Sequence, residues 1–129
     1  MDFKKTLDTK SAVERGFTYT VLDFDGVETD AKISVVGVGS RTFNLAYQPL
    51  EAALSKARTR NKELDPEVYE ELWCSVLAKC TTGWENVEEE GKPIPFSVEN
   101  AKQLYISYPP AAKQIGDAIM NIKAMLEGN

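Results

Sequence analysis

Cys74 and Cys80 are the only thiols in the chain and the first candidates for chemistry. They lie six residues apart in a helical pattern, which sets their Cα atoms roughly 9 Å apart along the axis, beyond disulfide reach. They read as reduced core thiols. The chain has no histidine. That one count removes Ser-His-Asp and Cys-His triads, HExxH zinc sites and Cys/His fingers together, and with them most hydrolytic machinery. Val36-Gly37-Val38-Gly39-Ser40 has the outline of a phosphate-binding turn, a strand followed by glycines and a helix start. It lacks the third glycine, a following Lys-Ser or Lys-Thr pair and a second βαβ unit, so Ser40 is better explained as an N-cap after a glycine turn. On these residues no catalytic, cofactor-binding or metal site is assigned, and no cofactor is expected.

One stretch pulls the other way. Val21-Leu22-Asp23-Phe24-Asp25-Gly26-Val27 resembles the first motif of the haloacid-dehalogenase phosphatases, and Gly116-Asp117 is similar to their last acidic motif. That resemblance implies Asp23 as nucleophile and Asp25 as acid/base beside a magnesium ion. The fold behind such a site needs several buried parallel strands with helical crossovers. Here one half-polar strand precedes the motif, only one other follows, and Gly116-Asp117 sits inside a helical pattern. Asp23-Phe24-Asp25-Gly26 therefore reads as an acidic turn, with the magnesium-dependent phosphatase kept as the enzymatic alternative.

The elements that would position these residues form one domain. A chain of 129 residues is long enough for one core and too short for two. Its 43% hydrophobic and 27% charged residues are ordinary for a soluble protein, and its apolar runs fall short of a membrane span. Met1-Asp2-Phe3-Lys4-Lys5 leads into polar residues rather than an apolar signal segment, so the protein is expected in the cytoplasm. A net charge of −5 argues against general nucleic-acid binding. The local basic cluster Lys56, Arg58, Arg60 and Lys62 reads as a solvated helix end, where cations suit the macrodipole.

Residues 1–15 lack sustained periodicity and read as a flexible N-terminal tail, leaving residues 16–129 as the folded domain. From Phe17 the pattern alternates, with Phe17, Tyr19 and Val21 on one face; Ile33 and Val35 repeat it in a second run. The two runs predict an antiparallel hairpin over 17–38, which must lie on a helix, join other strands or meet a partner's sheet edge. A helical part follows over 40–127. Its first helix starts at Arg41 with Phe43, Ala46, Tyr47, Leu50, Leu54 and Ala57 at helical spacing, and Pro49 predicts a kink or a fresh start near Gln48. Asp65 as N-cap, Pro66 at the first helical position and Leu64 placed to staple onto Tyr69 open the next. Val68, Leu72, Trp73, Val76, Leu77 and Cys80 give that helix a wide apolar face, and Gly83 is expected to end it. The fold class that results is α+β, mainly α: an N-terminal hairpin followed by about four helices packed as a small bundle.

Between Gly83 and Ala101 the chain is too polar and too rich in glycine and proline for a helix. Trp84, Val87, Phe96 and Ser97 are its structural anchors: the aromatics pin a loop and Ser97 caps the helix that follows. After Pro109 the last helix carries Ile115, Ile119, Ile122 and Leu126 in the cleanest apolar stripe of the chain, with Met120 and Met125 as adaptable neighbours. Ile115, Ile119, Met120, Ile122 and Leu126 are the candidate partner-binding face, against the plainer expectation that the stripe packs into the core. Ala112 and Gly116 leave room for another helix.

Trp84-Glu85-Asn86-Val87, the acidic turn closing on Gly91, Ile94-Pro95-Phe96-Ser97, Glu99-Asn100-Ala101, Leu104 and Pro109 together resemble the tail assembly chaperones of long-tailed bacteriophages. Residues 66–126 carry the resemblance well. Residues 17–60 match in outline only, and Pro49 departs from the unbroken helix expected there. The resemblance implies a non-catalytic chaperone, in its short form, that binds the tape measure protein and keeps it soluble while the tail tube assembles. It also implies a longer frameshifted form that recruits tail tube protein, action in the host bacterial cytoplasm and absence from the mature virion. Self-association through the last helix or the hairpin edge fits the same reading, with no nucleic-acid or membrane partner. A host-directed interaction adaptor is the alternative outside that family.

Overall fold

A computed structural model describes residues 1–122 of the chain. Within the first fifteen residues, read as a tail from the sequence, the chain forms a helix. Helix α1 spans Phe3–Arg15: the Asp2 carboxylate accepts from the backbone N–H groups of Lys4 (3.0 Å) and Lys5 (3.3 Å), and Gly16 ends it at φ 77°. Val13 is the one α1 residue buried, while Phe3 and Leu7 stay exposed. Local capping, rather than an apolar face, therefore makes this helix, which is why periodicity did not reveal it.

Strands β1 (Phe17–Leu22) and β2 (Glu28–Val35) pair antiparallel as predicted, Phe17 opposite Val35 and Tyr19 opposite Ile33. Helix α2 (Arg41–Thr59) follows, with the Ser40 hydroxyl accepting from the Phe43 N–H at 3.0 Å. Of the kink or fresh start expected at Pro49, the fresh start does not occur: one helix continues through the proline. Leu45, whose carbonyl loses its helical donor to the proline, is exposed, so water can satisfy that oxygen. On the opposite side Phe43, Ala46 and Leu50 are buried and hold the helix through the interruption.

Helix α3 (Pro66–Lys79) begins as the sequence indicates, Asp65 accepting from the Glu67 N–H at 2.8 Å. It ends at Lys79, not at Gly83, and Val68 is exposed rather than part of its apolar face. The residues given to the helix end form a third strand, β3 (Thr81–Glu85), which pairs antiparallel with β2: Trp84 opposite Ile33, Thr81 opposite Val35. At its C-terminal end β2 buries Ile33 and Val35, and β3 supplies backbone bonds to the second edge there. The sheet order is β1-β2-β3. A two-stranded ribbon, β4 (Glu88–Glu89) and β5 (Lys92–Pro93), then leads to helix α4 (Val98–Ser107) and helix α5 (Pro109–Met120).

The class is mixed α+β, mainly α, as expected, with a third sheet strand and an N-terminal helix added to the hairpin and four following helices. Helix α3 is the hub: it packs against α2, α4 and α5. Its Cys74, Val76, Leu77 and Ala78 are buried with Leu50, Ala101, Tyr105, Ile115 and Ile119 in one core that the sheet covers through Ile33 and Val35. Cys74 and Cys80 are both buried free thiols. No helix among the described residues is long and apolar enough to cross a membrane.

Candidate functional site: an anchored joint and an open groove

The residues marked as anchors converge. Trp84 stands on β3 rather than in a loop, facing the core beside Ile33, and its indole N–H donates to the Ile94 carbonyl at 2.8 Å. Phe96 meets the indole edge-to-face at 5.2 Å between centroids, an orientation favoured by the ring quadrupoles. Val87 is buried, and its carbonyl accepts from Ile94 N–H at 2.8 Å. Asn86, Glu90 and Gly91 all take positive φ, which lets the acidic ribbon turn sharply and return. Ser97 accepts from the Asn100 N–H at 2.9 Å while the Asn100 side chain donates to the Pro95 carbonyl, so the start of α4 is fastened from both directions. Trp84→Ala is expected to cost about 3 kcal/mol for a half-buried indole that loses both its ring contact and its hydrogen bond. Ser97→Ala should cost about 1 kcal/mol. Urea midpoints of the two variants check the order; a larger loss at Ser97 would overturn it.

Behind the joint, Tyr105 is fully buried and its hydroxyl lies 2.8 Å from that of Thr81, which also donates to the Leu77 carbonyl at 2.8 Å. Burial pushes the Tyr105 phenol up to about 12. It pushes the Cys80 thiol up to about 12 as well, so this thiol is neither a nucleophile nor a metal ligand in its ordinary state.

Asp23 is occupied with its own loop. Its carboxylate accepts from the N–H groups of Asp25 (2.9 Å) and Val27 (3.0 Å), and Gly26 closes the turn at φ 80°. Asp25 is exposed. Gly116-Asp117 lies within α5. Among the described residues no group of three or more His, Cys, Asp or Glu is gathered to hold a metal ion.

The predicted partner-binding face on the last helix is corrected by its surroundings. Ile115, Ile119 and Ile122 are fully buried in the protein's own core. Gly37 presses so close to Ile122 that a Cβ there would fall 2.0 Å from it, and the Val38 N–H donates to the Ile119 carbonyl at 3.0 Å. The stripe is clean because it packs against the sheet and α3, not because it awaits a partner. Gly116 is likewise filled from within, by Trp73 and Leu77 of α3. Met120 alone of the face is exposed, and Leu126 lies outside the described residues.

An open surface exists elsewhere. Between α2 and the start of α3 runs a groove of about 800 Å³ floored by Tyr47, Leu54, Leu64 and Tyr69 and edged by Glu51, Arg58, Lys62 and Glu63. Tyr47, Leu54 and Ala57 were legible as apolar helix positions. What the spacing did not carry is that α3 covers only part of that stripe, leaving Tyr47 and Leu54 half-covered at its edge.

The hairpin edge carries a second device that the sequence did not announce. The side-chain amide of Gln114, on α5, accepts from the Leu22 N–H at 2.9 Å and donates to the Leu22 carbonyl at 3.0 Å, while the Tyr19 hydroxyl donates to the same amide oxygen at 3.0 Å. One side chain thus holds the end of the outer strand onto the last helix.

Compared with models of protein families, with curated proteins and with solved structures, the chain finds no match.

Proposed function

We propose that this chain is a non-catalytic tail assembly chaperone of the long-tailed bacteriophage type, which binds the tape measure protein and keeps it soluble during tail tube assembly. The observation that carries the reading is the joint. Of the residues on which the resemblance rests, Trp84, Val87, Gly91, Phe96 and Ser97 form the joint and Pro109 opens α5.

The surface fits the task. A chaperone for a long helical chain needs exposed apolar contact, worth about 25 cal/mol per Å² covered, together with a net charge that keeps the complex dispersed. The groove between α2 and α3 offers the first, and the charge of −5 the second. Neither requires an ordered catalytic group.

Co-expression with the tape measure protein of the same genome tests the proposal. The expected result is a soluble complex that elutes as one species on gel filtration. A tape measure protein that stays insoluble, with the chain eluting alone, would sink it.

A further inference from the structure

We infer that the groove between α2 and α3 is the docking site for a single amphipathic helix about three turns long, basic at one end of its apolar stripe and acidic at the other. The inference rests on the chaperone reading and names the surface that would do the masking.

Its length and walls come from the helices. Tyr47, Glu51, Leu54 and Arg58 line the groove from α2 at offsets of four, three and four, one continuous face about 16 Å long at 1.5 Å per residue. Leu64, Pro66 and Tyr69 form the facing wall. About 800 Å³ of open space is far more than one side chain fills, and the groove is a trough between helices with no strand edge to receive an extended peptide. Two tyrosines on its walls supply rigid, amphipathic contact of the kind that dominates binding hot spots.

Charge fixes the occupant's character and direction. Glu51 stands about 10 Å before Arg58 along α2, and Lys62 joins Arg58 with Glu63 beside it, so one end carries a carboxylate and the other two cations offset by one carboxylate. Among the described residues none of Glu51, Arg58, Lys62 and Glu63 takes part in an ion pair; the two pairs present are Lys102–Glu71 and Lys113–Asp117. Apart from an Arg58 contact to the Ser55 hydroxyl at 3.4 Å, these exposed charges are free to meet a partner's. Glu51 and Glu63 within the same trough also weigh against a nucleic-acid backbone as occupant. A helix carrying a basic residue at the Glu51 end and an acidic residue near Arg58 and Lys62 satisfies both ends, and its charges steer it into one orientation.

The test uses the full chain and the tape measure co-expression above. Tyr69→Glu and the double variant Arg58→Glu/Lys62→Glu alter exposed groove residues, so circular dichroism should match the unaltered protein, with melting slightly lowered in the double variant, whose cations suit the end of α2. Each is expected to cut recovered complex about tenfold or more. Phe24→Glu, at a wholly exposed turn, should leave it unchanged. Groove variants that recover as much complex as the unaltered chain would overturn the inference and leave the chaperone reading standing. Loss confined to the oligomeric state of the free chain, with the complex intact, would make the groove a contact between copies and also overturn it. No complex with the unaltered chain removes both readings.

Discussion

Raising the pH from 9 to 11 is expected to remove about 4 kcal/mol of folding stability, through two buried groups that the fold keeps neutral. The Cys80 thiol is held at about 12 against an ordinary 9.0, and the Tyr105 phenol at about 12 against 10.0, in both cases chiefly by burial. Above pH 9 an unfolded chain gives up the Cys80 proton and above pH 10 the Tyr105 proton, while the folded chain retains both. The unfolded state then binds fewer protons, so stability falls as pH rises, by about 1.4 kcal/mol per pH unit for each group past its unfolded value. The stabilisation is complete below pH 9 and lost as the pH climbs towards 12. Urea midpoints under reducing conditions at pH 8, 9, 10 and 11 measure the slope. The Cys80→Ala/Tyr105→Phe double variant should reduce it, leaving the part due to Cys74 and Tyr19, which burial also raises, and an unaltered protein with a level profile would refute the assignment.

The second large effect is at Gly16, where replacement by alanine should cost about 3–5 kcal/mol. Two independent causes add. Gly16 has φ 77° and ψ −167°, a backbone conformation that a side chain strains, and a Cβ there would lie 2.0 Å from the Val35 carbonyl oxygen. That oxygen cannot retreat readily, since Val35 lies in the middle strand, opposite Phe17 on one side and Thr81 on the other. Gly39→Ala separates the causes: it shares the positive φ, 92°, but a Cβ would meet nothing within 4 Å. It should cost about 1–2 kcal/mol. Amides of α1 should also exchange faster in Gly16→Ala, because that turn is what lays Val13 against the loop that follows β2. Equal losses for the two glycine variants would show that crowding at Val35 contributes nothing.

What could be read from the chain follows the distance over which each feature is determined. Caps and turns are written locally: Ser40, Asp65 and Ser97 each cap the helix foreseen for them, and Asp23-Phe24-Asp25-Gly26 is the turn its composition implies. The hairpin register follows from alternation. Strand β3 did not show, because Thr81-Thr82-Gly83-Trp84-Glu85 has no clean alternation of its own and is a strand only because β2 lies beside it. Pro49 does not split α2 for the same reason in reverse: burial of Phe43, Ala46 and Leu50 outweighs a local penalty that falls on a solvent-facing turn. Periodicity identified Ile115 and Ile119 as an apolar face but carries no information on what covers it. The groove is the complement of that lesson, since its apolar positions were visible and their half-exposure was not.

A growing sheet needs an outer strand whose end is free to accept the next one, and at Leu22 that opening is already filled from within. Gln114 presents to Leu22 the donor and acceptor that an incoming strand would bring, and Tyr19 braces it. A second copy adding along β1 would have to displace this part-buried amide and break its three hydrogen bonds, a barrier against strand addition there. Strand addition is thereby turned away from the Leu22 end of β1, and β3 is the sheet's other edge.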